Sequence, residues 1–445
     1  MTHVQSYDPS NGELLGSVEI SSDQQVQEVI ELAHEAQKRW KNKPMEKRVA
    51  LIAQAYQALG HHSASLSELL AREMGKDIRR ATGEISGAAY MGEYLAQEAS
   101  DAFKTRQLSH STQLQYRPLG VVGVISPWNY PVMMANNLIV PALVAGNTVI
   151  LKPSEETPLI AKAFFGELQK HLPEHVLNII YGDGETGKKL VESNIQMVAF
   201  TGSMSVGKDI MARASNRMKR LVMELGGNDP MIVMRDANLE QAARFAVAGS
   251  FENSGQMCTS IERIYVDEKV ADKFEARVVE IAKMYRVGAW NEADVNIGPI
   301  INQKQHDKII DHIKDAEVKG ARVLLGGSEQ PNRYIFPTVL TGMTPEMKIE
   351  REETFGPVVA ISRYSNIDDA IGRANDSDYG LGAVVFGGKG ANDVADALEA
   401  GMVGINQSQG GGGNAPWVGA KQSGYGYHGS VDGHRQFAQV KVVSH

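Results

Sequence analysis

The single cysteine of this 445-residue chain is its strongest candidate for a catalytic group. Cys258 lies in the segment 255–259 (Gly-Gln-Met-Cys-Thr), where glycine and small polar residues predict a loop. A lone cysteine is usually a small buried apolar residue, and it cannot form a disulfide within the chain. Its neighbours favour another role, because a thiol on a loop is better placed to attack an electrophile than to pack. Cys258 is therefore predicted to be a nucleophile.

Two further residues have the chemistry that a cysteine nucleophile requires. Attack on a carbonyl creates an oxyanion that needs an amide donor, and Asn129 follows a predicted buried strand, in the segment 127–131 (Pro-Trp-Asn-Tyr-Pro). Release of an acyl group by water needs a general base, and Glu224 ends another apolar run. Taken singly, Asn129 also fits a turn, and Glu224 fits a strand-end charge that reaches solvent. Their presence together with Cys258 favours a catalytic set.

Other catalytic systems have little support in the sequence. The chain has no G-x-S-x-G segment and no H-E-x-x-H segment, and its 12 histidines are scattered, so no metal site is predicted. The glycine-rich segments 182–187 and 202–207 resemble phosphate-binding loops. Lys189 and Asp209 stand where a P-loop needs Ser or Thr for magnesium, which disfavours an NTP hydrolase. Each segment also fits a strand-to-helix turn without a ligand.

The composition is that of an ordinary globular protein, with 42% hydrophobic and 22% charged residues. The formal net charge of -8 disfavours a nucleic-acid partner, because a phosphate backbone requires a concentrated basic surface. The sequence contains no run of about 18 apolar residues that would cross a membrane. The first residues are not typical of a signal peptide. No membrane association and a cytoplasmic location are therefore predicted.

The elements that must position these groups follow two patterns. Ser22 and Gln25 form a capping-box pattern, and apolar residues then recur at helical spacing as far as Gly75. From Tyr116 onward, short apolar runs are bounded by Gly and Pro, which is typical of buried parallel strands. Strands are predicted at 121–125, 148–151, 177–181, 197–200, 221–223, 231–234 and 262–266. We predict an α/β protein with a doubly wound parallel sheet and a second α/β domain.

Two segments differ from this alternation of helix and strand. Residues 111–117 and 436–443 alternate polar and apolar side chains without a helix nearby. They could pair with each other or with another subunit.

Six separated motifs resemble those of the aldehyde dehydrogenase superfamily, in that family's order and at its spacing. They are Pro-Trp-Asn-Tyr-Pro (127–131), Leu-Lys-Pro-Ser-Glu-Glu-Thr-Pro (151–158), Phe-Thr-Gly-Ser (200–203), Glu-Leu-Gly-Gly (224–227), Gly-Gln-Met-Cys (255–258) and Glu-Glu-Thr-Phe-Gly-Pro (352–357). The similarity extends from about Tyr7 to Val443. It implies an enzyme that oxidises an aldehyde to a carboxylic acid with NAD(P).

The resemblance assigns a role to each member of the catalytic set. Cys258 would form a thiohemiacetal with the aldehyde and, after hydride transfer, a thioester. Asn129 and the backbone N–H of Cys258 would hold the oxyanion, and Glu224 would activate the water that hydrolyses the thioester. Family members that acylate coenzyme A generally lack a glutamate at the position of Glu224. Release of the free acid is therefore expected.

The resemblance also implies a variant Rossmann domain that holds the cofactor. The implied contacts are Lys152 and Glu155 at the adenosine ribose, Ser203 and Trp128 at the pyrophosphate, Glu353 with Phe355 at the nicotinamide ribose, and Gly182 in an adenine-side turn. A carboxylate at Glu155 would bond the ribose 2′-OH and repel a 2′-phosphate. NAD is therefore the expected cofactor. NADP stays possible, because Lys152 could pair with the phosphate.

The substrate tunnel is the part that the sequence defines least. By position in the family it would be lined by Tyr130, Met134, Asn137, Met257, Thr259 and Trp417. Succinate semialdehyde dehydrogenases typically have Arg where Asn137 stands, and many betaine aldehyde enzymes have Trp there for cation-π contact. An uncharged aliphatic or aromatic aldehyde is therefore expected, with a succinate-semialdehyde type as the alternative. Residues 409–414 (Gln-Gly-Gly-Gly-Gly-Asn) depart from the family's aromatic-bearing loop, and either widen the tunnel mouth or form a flexible connection.

The same resemblance implies how the chain divides. An NAD-binding domain is expected at 1–103 and 118–225, a catalytic domain at 226–407, and a small β oligomerisation arm with a C-terminal segment at 104–117 and 408–445. An arm of this kind bridges subunits, so a homodimer or homotetramer is expected. A coenzyme A-acylating enzyme, a non-catalytic member of the family and a dinucleotide sensor are the alternatives.

Overall fold

The computed structural model describes residues 2–330, 333–410, 412 and 414–445. In chain order, the helices are α1 (Asp23–Trp40), α2 (Met45–Ala58), α3 (Ser63–Met74), α4 (Ile78–Ala102), α5 (Met133–Val144), α6 (Pro158–His171), α7 (Gly184–Glu192), α8 (Met204–Ser215), α9 (Leu239–Phe251), α10 (Ala271–Ala282), α11 (Gln303–Val318), α12 (Ile367–Asn375), α13 (Ala391–Ala397) and α14 (Ser430–Arg435). None of the helices within the described ranges is long and apolar enough to span a membrane.

The strands form two large sheets and four small ones among the described residues. In chain order they are β1 (His3–Tyr7), β2 (Leu14–Glu19), β3 (Arg106–Ser109), β4 (Thr112–Pro118), β5 (Val121–Ile125), β6 (Thr148–Lys152), β7 (Leu177–Ile179), β8 (Met197–Thr201), β9 (Arg220–Glu224), β10 (Asp229–Val233), β11 (Ile261–Asp267), β12 (Arg286–Val287), β13 (Val295–Ile297), β14 (Arg322–Leu325), β15 (Thr338–Thr341), β16 (Val358–Tyr364), β17 (Gly382–Phe386), β18 (Met402–Ile405), β19 (Trp417–Val418), β20 (Gly424–Tyr425), β21 (Tyr427–His428) and β22 (Ala438–Ser444).

The first large sheet has the strand order β20-β9-β8-β5-β6-β7 and is parallel except for β20. Its strands are short apolar runs because side chains on both faces are buried. On β6, Val149 and Leu151 pack into one core cluster with Phe164 of α6, whereas Ile150 packs into another with Ile30 of α1. Helices therefore cover both faces, as in a doubly wound sheet.

The second large sheet has the order β14-β15-β16-β11-β10-β17-β18, with only the β14–β15 pair antiparallel. It too has a core on each face, one formed with α9 and α10 and the other with α12 and α13. The prediction of an α/β fold with a second α/β unit is thus confirmed. The capping box of α1 is also present, since Ser22 Oγ accepts from the Gln25 N–H at 3.2 Å and Gln25 Oε1 accepts from the Ser22 N–H at 2.7 Å.

The two segments that stood apart in the sequence pair with each other. β22 runs antiparallel to β4, from Ala438 opposite Pro118 to Ser444 opposite Thr112, and β3 completes a three-stranded sheet. The chain before β22 returns to the first large sheet, where β20 pairs with β9 and Gly424 lies opposite Glu224. No sequence pattern predicts this added strand, because two residues are too few for a periodic pattern. The predicted domain boundaries stay a prediction.

Candidate active site

A cavity of about 680 Å³ lies at the carboxyl ends of parallel strands of the first sheet. Strand β5 leads into Trp128 and Asn129, β8 ends at Thr201, and β9 ends at Glu224, and all four residues line the cavity. Parallel strands present their carboxyl ends at one edge of a sheet, where ligands of open α/β proteins bind. Cys258 lines the same cavity, so the three predicted catalytic residues are brought together.

The segment before Cys258 has an uncommon backbone. After α9 the chain passes through three consecutive residues in the left-handed region, Asn253 (φ 50°), Ser254 (φ 60°) and Gly255 (φ 73°). A Cβ added to Gly255 would lie 2.0 Å from the carbonyl oxygen of Gly356. Only glycine fits this position, because both the positive φ and the close backbone approach exclude a side chain. The turn fixes the direction in which the chain enters the cavity wall at Cys258.

The thiol of Cys258 is half-buried and lies beside the carboxyl group of Glu224. Burial, and then the negative charge of Glu224, raises the pKa of the Cys258 thiol well above its usual range. The thiol is therefore protonated at neutral pH in this arrangement. Attack on a carbonyl requires a base that removes this proton, and Glu224 is the adjacent candidate.

Glu224 is almost fully buried, and its environment suits a proton carrier. Its Oε1 accepts a hydrogen bond from Nε1 of Trp417 at 3.3 Å, while its Oε2 has no partner in the described part of the chain. Burial raises the pKa of Glu224 to about 7. A carboxyl group that titrates near neutrality can both accept and release a proton during a reaction.

Asn129 is buried next to the nucleophile loop. Its Nδ2 donates to the carbonyl oxygen of Gln256 at 3.0 Å. An amide nitrogen carries two hydrogens, so one donor remains for an oxygen in the cavity. This position fits the predicted role of Asn129 at an oxyanion.

A buried ion pair holds the backbone of Asn129 in place. Lys76 Nζ donates to the Asn129 carbonyl oxygen at 2.8 Å and to Glu84 Oε2 at 2.6 Å. Oε1 of Glu84 accepts the backbone N–H groups of Val132 and Met133 at 3.0 and 3.2 Å. The sequence prediction missed this pair. Lys76 precedes the N-cap Asp77 and Glu84 lies within α4, so helical spacing gives no signal that links the two residues.

The part of the cavity lined by Trp128, Ser203 and Phe355 fits a dinucleotide. The ring of Trp128 meets that of Phe355 edge-on, with centroids 5.5 Å apart. Ser203 caps α8, whose N-terminus is directed at the same space and favours negative charge. Thr201 Oγ1 is buried without a partner among the described residues, and a Cβ on Gly226 would approach the Glu353 carboxylate to 2.8 Å. A free polar atom and a floor kept open by glycine are compatible with the predicted site of the nicotinamide ribose.

The remaining predicted cofactor residues lie outside this cavity, further along the same sheet edge. Lys152 ends β6, and its Nζ lies 3.1 Å from Glu155 Oε2. Gly182 follows β7 with a φ of 152°, and a Cβ there would lie 2.0 Å from Thr186 Oγ1. Because β5, β6 and β7 are adjacent in the sheet, these residues continue the edge from Trp128 toward an adenine-side position.

The predicted tunnel set is brought together only in part. Tyr130, Met134, Met257 and Trp417 line the cavity, whereas Asn137 and Thr259 do not. Asn137 lies on the same face of α5 as Met134 but about 4.5 Å further along the axis, which carries it past the lining. The tunnel role of Asn137 and Thr259 stays a prediction.

Thr259 is buried behind the nucleophile, and the loop that follows β18 explains its position. Nε2 of Gln409 donates to the Thr259 carbonyl oxygen at 2.8 Å and to Asp229 Oδ2 at 3.0 Å. These contacts tie Thr259 to the protein interior and away from the cavity. Gly411 and Gly413, part of the predicted glycine-rich connection, lie outside the described residues.

Comparison with known proteins decides the family. The sequence profile of the Aldehyde dehydrogenase family matches residues 1–443. The chain belongs to the aldehyde dehydrogenase family. The predicted resemblance is confirmed, and the cavity around Cys258 is the candidate active site of an aldehyde dehydrogenase.

The names of similar aldehyde dehydrogenases refer to more than one substrate. A probable succinate-semialdehyde dehydrogenase [NADP(+)] of Sinorhizobium fredii is 38% identical, with 98% of this chain and 91% of that protein covered. The succinate-semialdehyde dehydrogenase [NADP(+)] of Escherichia coli is 34% identical over 98% of this chain and 92% of its own. The crystal structure of lactaldehyde dehydrogenase from E. coli superposes with a TM-score of 0.95 at 31% identity, covering 100% of this chain and 95% of that one.

This aldehyde dehydrogenase has a charged pair in its tunnel that the sequence did not predict. Arg80 and Glu252 both line the cavity, and the guanidinium binds the carboxylate in a bidentate manner, at 2.8 Å from Nε and 2.9 Å from Nη2. Arg80 Nη1 also donates to Asp77 at 2.6 Å, and the Tyr130 hydroxyl donates to Glu252 at 3.2 Å. Arg80 lies four residues, about one helical turn, before Glu84 on α4, so the two side chains share a face of the helix. A charged residue on that face was the sequence signal that could have indicated Arg80.

Proposed function

We propose that this aldehyde dehydrogenase oxidises an aldehyde to the carboxylic acid through a covalent intermediate on Cys258, with NAD or NADP as the oxidant. The observation that carries the proposal is the meeting of a thiol, a carboxyl group that titrates near neutrality and an amide donor in one cavity. Nucleophile, base and oxyanion donor are the three groups that acyl transfer requires.

Each residue has one task in the proposed reaction. Glu224 takes the proton of the Cys258 thiol as the sulfur adds to the aldehyde carbon, and Asn129 with the Cys258 N–H holds the oxyanion of the thiohemiacetal. NAD(P), when bound, supplies the hydride acceptor that converts this adduct into a thioester. Glu224 then releases the thiol proton to solvent and, again as a carboxylate, removes a proton from the water that attacks the thioester carbon; it returns this second proton to the departing sulfur. The C–S bond breaks, the acid leaves, and the thiol is restored.

The experiment that tests the proposal follows NAD(P)H absorbance across a panel of aldehydes, with and without coenzyme A, and identifies the product. Formation of NAD(P)H with release of the free acid supports the proposal. A thioester product formed only when coenzyme A is present would favour the acylating alternative. Dinucleotide binding without any NAD(P)H would favour a sensor or a non-catalytic member of the family.

An uncharged aliphatic or aromatic aldehyde is the substrate class that we propose. Met133, Met134, Met257 and Trp417 give the tunnel a mainly apolar wall. Of the cations Arg80 and Lys308 that line the cavity, Arg80 is already paired with two carboxylates, and Lys308 acts on the carboxyl group of Glu353. A succinate-semialdehyde type remains the second candidate, since two of the similar proteins carry that name.

NAD is the cofactor that we expect the enzyme to prefer. The Glu155 side chain is 45% exposed, so its carboxylate is accessible to an adenosine ribose, where it would repel a 2′-phosphate. Replacing Glu155 by Gln is expected to raise the ratio of kcat/KM for NADP to that for NAD by about tenfold. The exposed Glu174 serves as a control, and Glu174→Gln should leave the ratio unchanged. Wild-type enzyme with an equal or higher kcat/KM for NADP would contradict the preference.

We propose that the β3-β4-β22 sheet joins subunits into a homodimer or homotetramer. Both outer strands expose apolar side chains, with Leu108 on β3 and Val440 and Val442 on β22, and a sheet edge can accept further strands. The wild type should have the mass of a dimer or tetramer in light scattering, and Val442→Asp should shift it toward the monomer. Val318→Asp, at an exposed valine on α11, is the control. A monomeric wild type would rule out this assembly.

A cytoplasmic location stays a prediction. Fractionation of cells that produce the protein would test it.

A further inference from the structure

The tunnel side of the cavity ends in a network of charged side chains whose hydrogen bonds are nearly saturated. Arg80 has five N–H donors. Four of them are used, two by Glu252, one by Asp77 and one by the carbonyl oxygen of Asn296 at 3.1 Å. One N–H, on Nη2, remains without an acceptor in the part of the chain that the structure describes. The cation is thus held between two carboxylates and has little capacity to bind a third.

Glu252 is the more accessible member of the pair. Its side chain is 36% exposed, against 22% for Arg80 and 4% for Asp77. Oε1 already accepts from Arg80 and Tyr130, whereas Oε2 accepts only from Arg80 among the described residues, which leaves it one further acceptor position. A ligand that reaches this end of the tunnel therefore meets a carboxylate with one free acceptor site, next to a guanidinium with one free donor.

We propose that the Arg80–Glu252 pair determines substrate specificity by selecting aldehydes with a hydroxyl group at the end distant from the aldehyde, and by rejecting those with a carboxylate there. This inference rests on the proposed function, since it names the substrate class of the same site. A hydroxyl donates one hydrogen bond and accepts another, so it satisfies both free positions of the pair. An apolar end leaves them unsatisfied in a partly desolvated site.

Electrostatic repulsion disfavours a substrate with a carboxylate at the end distant from the aldehyde. This carboxylate cannot donate to Glu252, and it must approach the carboxylates of Glu252 and Asp77 to reach the single remaining N–H of Arg80. Like charges placed together at a partly buried site are unfavourable. The buried Lys76 does not offset this repulsion, because Glu84 neutralises it at 2.6 Å.

The first test compares aldehydes of equal shape with the wild-type enzyme. In the series of para-hydroxymethyl-, para-methyl- and para-carboxybenzaldehyde, kcat/KM is expected to fall at each step, by about tenfold between neighbours. Butanal and succinate semialdehyde, which share a four-carbon chain, form a second pair, and butanal should be preferred by a similar factor. Equal or reversed preferences in both series would overturn the inference.

The second test removes the charge of Glu252 while keeping its shape. Glu252→Gln is expected to raise the ratio of kcat/KM for para-carboxybenzaldehyde to that for para-methylbenzaldehyde by about tenfold, since Arg80 then faces one carboxylate fewer. Glu68→Gln, at an exposed glutamate on α3, is the matched control and should leave the ratio unchanged. An unchanged ratio in a folded Glu252→Gln enzyme would contradict the inference, and the wild-type series decides if that variant does not fold.

Failure of this inference is distinguishable from failure of the proposed function. If no aldehyde gives NAD(P)H, the proposed function falls and the specificity falls with it. If all the aldehydes are oxidised to acids but succinate semialdehyde and the carboxybenzaldehyde are the best substrates, the reaction stands and only the role of Arg80 and Glu252 is refuted.

Discussion

Replacing Cys258 by Ala is expected to lower kcat/KM for aldehyde oxidation by about 10⁴-fold or more, because removal of a nucleophile eliminates the covalent route entirely. Dinucleotide binding should persist, since the implied contacts of the cofactor lie on β6, α8 and the Trp128–Phe355 wall. The measurement is kcat/KM for a good aldehyde together with the dissociation constant of the dinucleotide by titration calorimetry.

The absence of any other cysteine makes this prediction easy to control. Alkylation of the wild type with iodoacetamide should add one group, found by mass spectrometry at Cys258, in proportion to the activity lost. Alkylation should speed up as pH rises, because burial and Glu224 raise the pKa of the thiol. A Cys258→Ala enzyme that keeps wild-type turnover would refute the proposed mechanism.

Replacing Glu224 by Gln is expected to lower the steady-state rate by about 10²- to 10⁴-fold, the usual range for loss of a general base. The amide keeps the size of the side chain and can still contact Trp417, so the cavity keeps its shape. At alkaline pH the thiol ionises without help, whereas hydrolysis still lacks its base. The variant should then form one equivalent of NAD(P)H per site and carry an acyl group that mass spectrometry detects on Cys258.

The pH profile gives the same prediction an independent control. A general base acts when it is deprotonated, so wild-type deacylation should rise with pH through about 7, the pKa to which burial raises Glu224. This inflection should disappear in Glu224→Gln. Its persistence in the variant would assign the titration to another group.

The sequence predicted the main strands of the molecule because local residue patterns determine where strands form. Strand β5 spans Val121–Ile125, as predicted, since a fully buried strand must be apolar at every position. The catalytic set was also recognisable, because Asn129 lies in the loop after such a strand and Glu224 ends one. Parallel strands bring their carboxyl ends together whatever the distance along the chain.

What the sequence did not predict depends on pairs that are distant along the chain. Arg80 and Glu252 are separated by 172 positions, and no local pattern shows that one charge will neutralise the other. Asn137, assigned to the tunnel from its motif position, is not among the residues that line the cavity, and its role stays a prediction. Such features follow from how the two large sheets and α4 pack against each other, and periodicity does not encode that packing.

The order of synthesis gives the contact between β20 and β9 a biological consequence. The ribosome synthesises Cys258 before Trp417 and Gly424. Trp417 donates a hydrogen bond to Glu224, and Gly424 lies opposite Glu224 in the pairing of β20 with β9. A nascent chain that has released Cys258 has not yet assembled the surroundings of its base. The surroundings of this base are therefore completed only after residues 417–424 have been synthesised.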